Sequence, residues 1–129
     1  MSVLVDTSVW IAYFRGTRDL PELELLIDEN LITTNDLVLA ELIPYFHVQK
    51  HKRLITLMAE INRLPLEIDW ADIIQMQTTC LKNGINAVGI PDLIMAQHAI
   101  QNHLRLFTLD RHFILMSEHV PLSMYENKK

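Results

Sequence analysis

Short apolar runs rich in β-branched residues alternate with longer segments of helical period along the whole chain, and few folds accept that alternation. Ser2–Val5, Leu31–Thr34, Leu66–Ile68, Leu104–Leu109 and Val120–Met124 read as strands. The first helical segments are Ser8–Phe14 behind a Thr-Ser cap, Pro21–Glu29 with Pro21 in its first turn, Leu37–Phe46 after Asn35 and Asp36, and His51–Arg63. Three more run from Asp69 to Lys82, from Pro91 to His103, and from Arg111 to Met116. Pro44 is expected to kink or end its helix, and Asn83-Gly84 to stop the helix before it. Strands separated by helices build βαβ units, so the expected fold is α/β: a three-layer α/β/α sandwich around a central parallel sheet. No repeat or linker interrupts residues 1–129, which are expected to form a single domain. In such sheets ligands bind beyond the carboxyl ends of the strands, which says where to look for chemistry.

Half the residues are hydrophobic and the mean hydropathy is +0.14, yet no stretch approaches the ~18 consecutive apolar residues of a bilayer span. Met1-Ser2-Val3-Leu4-Val5-Asp6 lacks the basic start of a signal peptide, so a cytoplasmic protein without a membrane partner is expected. Cys80 is the only cysteine, which excludes an internal disulfide and a multi-cysteine zinc site. Within Ile73, Ile74, Met76, Cys80 and Leu81 it reads as core filler. Net charge is −5, which taken alone argues against a nucleic-acid partner. Setting four acids aside to hold metal leaves a charge near −1, so the distribution matters more than the sum.

Asp6 follows the first strand in Val3-Leu4-Val5-Asp6, and Asp110 follows a later one in Phe107-Thr108-Leu109-Asp110. Both therefore project at one edge of a parallel sheet. Asp92 begins the helix that leads into the Asp110 strand. Glu41 lies in Leu37-Val38-Leu39-Ala40-Glu41-Leu42-Ile43, apolar on nearly all sides, and is expected to need a buried partner. Each Asp has a plain structural reading as a helix cap, and Glu41 as one half of an ion pair. Converging on one crevice, the four would repel one another and raise their pKa values, a conflict that a divalent cation resolves. An all-oxygen donor set selects Mg²⁺ or Mn²⁺ over zinc.

Val5-Asp6-Thr7-Ser8-Val9-Trp10-Ile11, Ala40-Glu41-Leu42, Ile90-Pro91-Asp92-Leu93-Ile94-Met95-Ala96 and Leu109-Asp110-Arg111-His112-Phe113 resemble the four acidic motifs of the PIN domain. The likeness is greatest to VapC-like toxin ribonucleases and covers essentially the whole chain in order. It implies a Mg²⁺- or Mn²⁺-dependent endoribonuclease with Asp6, Glu41, Asp92 and Asp110 as catalytic metal ligands. It also implies an RNA substrate, a homodimer and a cognate antitoxin that holds the enzyme inactive. Ser8 and Thr108 match hydroxyl positions beside the acids, suited to orienting a carboxylate or water. The implied reaction is phosphodiester hydrolysis without a 2′-hydroxyl nucleophile, leaving a 5′-phosphate. Met95-Ala96-Gln97-His98 departs from relatives that carry small residues there.

Other signals are weaker. His47 and His51 have helical metal-pair spacing but no third ligand. Lys50, His51, Lys52 and Arg53 form the one basic cluster, with a solvated helix start as its plain reading. Arg15, Arg18 and Arg111 are better placed to meet phosphates near the metal, while Trp10, Tyr13 and Phe14 read as core or interface. A phospho-acceptor receiver needs an acidic pair after the first strand, and a haloacid-dehalogenase-type phosphatase an Asp two residues after Asp6, where Ser8 stands. The serious alternatives are a silent PIN-fold binding module and a housekeeping RNA-processing nuclease without an antitoxin.

Overall fold

A computed structural model describes residues 2–126 of the chain; the expected domain over 1–129 extends outside the described residues at both ends. The elements in order are β1 (Val3–Val5), α1 (Thr7–Arg15), α2 (Pro21–Asp28), β2 (Ile32–Thr34), α3 (Asp36–Val48) and α4 (Lys52–Glu60). They continue with β3 (Asn62–Arg63), α5 (Trp70–Lys82), α6 (Ile90–Gln101), β4 (Arg105–Phe107), α7 (Arg111–Ser117) and β5 (Ser123–Met124). All strand pairs are parallel, in the order β3-β2-β1-β4-β5, and the whole is an α/β sandwich as the alternating pattern implies.

Val3, Leu4 and Val5 are fully buried, as an apolar run without alternation requires in a sheet covered on both faces. Trp10, Leu42, Phe46, Leu93 and Phe113 pack over them from the helices. Cys80 is buried core and its thiol pKa is raised by burial, but Ile74 and Leu81 of the same helix are 67% and 54% exposed. The apolar run on α5 is therefore wider than the face it buries, which is Ile73, Met76 and Cys80.

Two expectations fail for definable reasons. The edge strand is Asn62–Arg63 and not Leu66–Ile68: β2 is three residues long, and its ladder ends where Leu64 N–H donates to Thr34 O at 3.0 Å. Leu66–Ile68 lies past that end. Nor does Pro44 end α3, which continues to Val48. Pro44 and Ala40 are both exposed, so the backbone carbonyl left without its helical donor stands on the solvent side.

Candidate active site

Strand order reverses between β1 and β4: the chain builds outward through β2 and β3 on one side, then returns to place β4 on the other. A crevice opens beyond the carboxyl ends of two such strands. Asp6 and Asp110 both leave the sheet there. Asp6 N–H donates to Phe107 O at 2.9 Å, which extends the ladder by one bond and fixes where the Asp6 side chain emerges.

Asp6 is 9% exposed, and its Oδ2 accepts two hydroxyls, Ser8 Oγ at 2.7 Å and Thr108 Oγ1 at 2.9 Å. Each hydroxyl in turn accepts a backbone N–H from the β4–α7 turn, Ser8 from Leu109 at 3.1 Å and Thr108 from Asp110 at 3.0 Å. The turn that carries Asp110 is thereby tied to Asp6 through both side chains. Among the described residues no donor reaches Asp6 Oδ1.

The cap reading divides. Asp6 stands at the N-cap of α1 without capping it. Asp92 is not at a cap but three residues after one, and its Oδ2 accepts Gly89 N–H at 3.1 Å, the half of a capping box that a glycine N-cap allows. Asp110 does cap α7: Oδ1 accepts His112 N–H at 2.9 Å and lies 2.8 Å from His112 Nδ1. In both Asp92 and Asp110, one oxygen is committed to the backbone and the other is not, so capping and ligation are compatible. Burial pushes the Asp92 carboxyl pKa up; the Gly89 N–H pulls it down, the charges of Asp110 and Asp6 push it up again, and His112 pulls it down. Asp6, Asp92 and Asp110 thus share one electrostatic environment.

Glu41 corrects an expectation. It is exposed, because α3 buries only the stripe Val38, Leu42 and Phe46. No buried partner is needed. Thr7 Oγ1 donates to Glu41 Oε1 at 3.1 Å, and Thr7 adjoins Asp6, so the acid stands at the rim of the crevice. Among the described residues no three of His, Cys, Asp or Glu form a ready-made metal cage. The fit to a hard divalent cation rests instead on donor chemistry: carboxylate and hydroxyl oxygens only, with repulsion bearing on Asp92.

Of the candidate cations only Arg111, exposed at the start of α7, adjoins the crevice. Arg15 ends α1, about 12 Å from Thr7 at ~1.5 Å of rise per residue, and Arg18 lies in the turn beyond. His47 is exposed and His51 packs edge-on to Phe14 at 4.1 Å, an aromatic contact and not a metal pair. Sequence reasoning read Thr7 only as part of a helix cap, whereas it lies inside α1 behind Asp6, and gave no part to His112. The available signals were a hydroxyl beside Asp6 and a donor two residues after a capping Asp.

The family model for the PIN domain matches residues 3–118. No curated protein matches the sequence. Similar solved structures include VapBC2 from Rickettsia felis bound to a promoter DNA fragment, at 22% identity and a TM-score of 0.72, covering 97% of this chain and 98% of that one. DNA-bound VapBC from Salmonella typhimurium is 18% identical with a TM-score of 0.70, covering 98% and 97%. FitAcB from Neisseria gonorrhoeae is 20% identical with a TM-score of 0.69, covering 96% of each chain.

Proposed function

The chain belongs to the PIN-domain family, and from that membership we propose that it is a metal-dependent endoribonuclease, the toxin of a toxin–antitoxin pair. The observation that carries the reading is the convergence of Asp6, Asp92 and Asp110 at the switch point, each positioned by the backbone or by a hydroxyl and, among the described residues, none neutralised by Lys or Arg. Acids kept only for structure have no reason to gather where burial and one another's charge already raise Asp92.

PIN nucleases generally need a divalent metal. Asp6, Glu41, Asp92 and Asp110 would hold it, and Mg²⁺ or Mn²⁺ suits their oxygens. Such an ion supplies Lewis acidity and neutralises charge on the phosphate. The chain's own groups do the positioning. Ser8 and Thr108 fix Asp6 from one side, Gly89 N–H fixes Asp92, and His112 fixes Asp110. Held this way, the carboxylates lose little freedom when the phosphate arrives. Arg111 is placed to take a non-bridging phosphate oxygen. Unneutralised, the crevice repels RNA, so activity is expected to depend on the ion absolutely.

The fold is shared with chains in VapBC and FitAcB structures, and this supports an antitoxin partner; the homodimer is proposed from the family resemblance alone. The test is cleavage of a mixed RNA pool with Mg²⁺ or Mn²⁺, with and without EDTA. Products with 5′-phosphates that vanish in EDTA are expected; undiminished cleavage in EDTA would overturn the reading.

A further inference from the structure

Of the chain's 11 lysines and arginines, five gather at one corner of the fold. Arg15 closes α1 and Arg18 lies in the turn after it, Lys50 follows α3, and Lys52 and Arg53 open α4. The sequence holds these as two separate groups; aromatic rings join them. Arg15 Nε donates to the Tyr45 hydroxyl at 3.1 Å, with its guanidinium 5.7 Å from the ring centroid. Next to Arg15, Phe14 stacks on Phe46 at 4.7 Å and meets the edges of Tyr45 at 6.1 Å and His51 at 4.1 Å. Arg53 lines the same cavity as Phe14 and His51.

All five cations are exposed, and the ion pairs among the described residues, Arg63–Asp36 and His112–Asp110, involve none of them. An exposed arginine–tyrosine contact adds little stability. What it does is orient: with Nε committed to Tyr45, the terminal N–H groups of Arg15 remain free for a phosphate. Acids flank the corner on the α2 side, where Glu24 and Asp28 act on Tyr13 and Asp19 follows Arg18, while Lys50, Lys52 and Arg53 stand together on the α3 and α4 side. A seam connects the corner to the crevice. At one end of α1, Thr7 touches Glu41 of α3; at the other, Arg15 touches Tyr45, one turn further along α3.

Resting on the ribonuclease reading above, we infer that this corner is a subsite for the single-stranded RNA flanking the cleaved bond. Arg15, Lys52 and Arg53 contact phosphates and Tyr45 offers a ring for a base. Arg15 stands about 12 Å of helix rise along α1 from Thr7, so the flank it meets lies beyond the nucleotides at the cut. The cavity there is lined mainly by apolar side chains, Tyr13, Phe14, Leu54 and Leu57, and it is the unpaired charge of the cations around it that a phosphate backbone complements.

The test is fluorescence anisotropy of a labelled mixed-sequence single-stranded RNA, titrated with NaCl in EDTA so that binding is read without cleavage. The parent is compared with the triple variant Arg15→Gln, Lys52→Gln, Arg53→Gln, and with Lys82→Gln as a control cation elsewhere; melting curves check that each stays folded. The triple variant should flatten the log–log salt slope by about 2, at ~0.7 per lost phosphate contact, while Lys82→Gln stays parallel to the parent. In Mg²⁺ or Mn²⁺, the triple variant should raise KM for long substrates and not for ones ending within two nucleotides of the cut. A parental slope in the triple variant overturns the subsite and leaves the corner to a protein partner. A flattened slope without cleavage by the parent in either metal keeps the corner as a single-stranded RNA contact but overturns the nuclease reading, and with it the corner's place beside a cut.

Discussion

Helix α6 takes part in two polar regions built on opposite rules. At its start, Asp92 faces the crevice, where its carboxylate meets the charges of Asp6 and Asp110. Further along, buried Gln97 and His98 find their polar partners inside the chain. Gln97 Oε1 accepts Asp69 N–H at 3.1 Å, and its Nε2 donates to Asp69 O at 3.0 Å and Asp72 Oδ2 at 2.8 Å. Asn35 Oδ1 accepts Val38 N–H at 3.0 Å, which fixes the amide so that Nδ2 faces His98 Nδ1, also at 3.0 Å. His98 Nδ1 is then the acceptor and the proton sits on Nε2. Burial pushes the His98 pKa down, with the Pro65 backbone pulling it up, so the ring is neutral where the structure needs it neutral. This network meets its polar groups largely from within, with His98 Nε2 alone left without a partner in it among the described residues. The crevice holds its acids in place and leaves their charge to something from outside, and this contrast separates a structural network from a site.

The comparison breaks most visibly through function. Asp6→Asn or Asp110→Asn should lower RNA cleavage by at least about 100-fold, the scale for losing a preorganised electrostatic contact, with the melting temperature kept. Asn35→Ala should do the reverse. It removes the N-cap of α3 and the partner of buried His98, for a combined loss of about 2–4 kcal/mol of stability by denaturant unfolding. Cleavage by the folded fraction should stay at parental order. If Asn35→Ala silences a chain that remains folded, the two regions are one.

The neighbour of Asp110 sharpens the contrast within the crevice. His112→Ala removes a side-chain donor from Asp110 Oδ1 but leaves the backbone N–H. Cleavage should fall about 10-fold or more, as for outer groups that orient ligands. His112→Asn, whose amide N–H can occupy the place of Nδ1–H, should recover most of it, and Mg²⁺ or Mn²⁺ affinity by calorimetry should follow the same order. Equal losses in both variants would place the effect at Nε2 and remove the positioning role.

What the sequence made legible follows its periodicities. The strand–helix alternation and the acids after Val5 and Leu109 lead to the sheet edge directly, since a parallel strand must deliver its next residue there. Burial within a helix was less legible. Leu39 and Ile43 made the environment of Glu41 look closed, but both are half-buried, and the buried stripe of α3 runs through Leu42. The β3 edge was illegible for another reason: Asn62–Arg63 carries no strand pattern, and pairs only because β2 offers Thr33 and Thr34 as α4 ends. The Arg15–Tyr45 contact is long-range, and no local pattern signals it.

The smallest effect tests the electrostatics of the crevice without any turnover. Because the folded state raises the Asp92 pKa, the folded chain binds protons more readily there than the unfolded one. That arrangement favours the fold below the ordinary Asp range near ~3.9, and the advantage is lost as pH rises through the folded pKa. Asp92→Asn keeps an oxygen for Gly89 N–H and removes the charge. In EDTA at neutral pH it should therefore match or exceed the parent melting temperature, within about 1 kcal/mol, and the difference should close on acidification. His98 runs the other way. Its lowered pKa means that stability falls as pH drops below about 6.5, in the parent and in Asp92→Asn alike, so this shared loss cancels between them. Added Mg²⁺ or Mn²⁺ should stabilise the parent by mass action and the variant less, reversing their order at neutral pH. A variant that melts well below the parent in EDTA and gains as much from the metal would make Asp92 a capping residue alone.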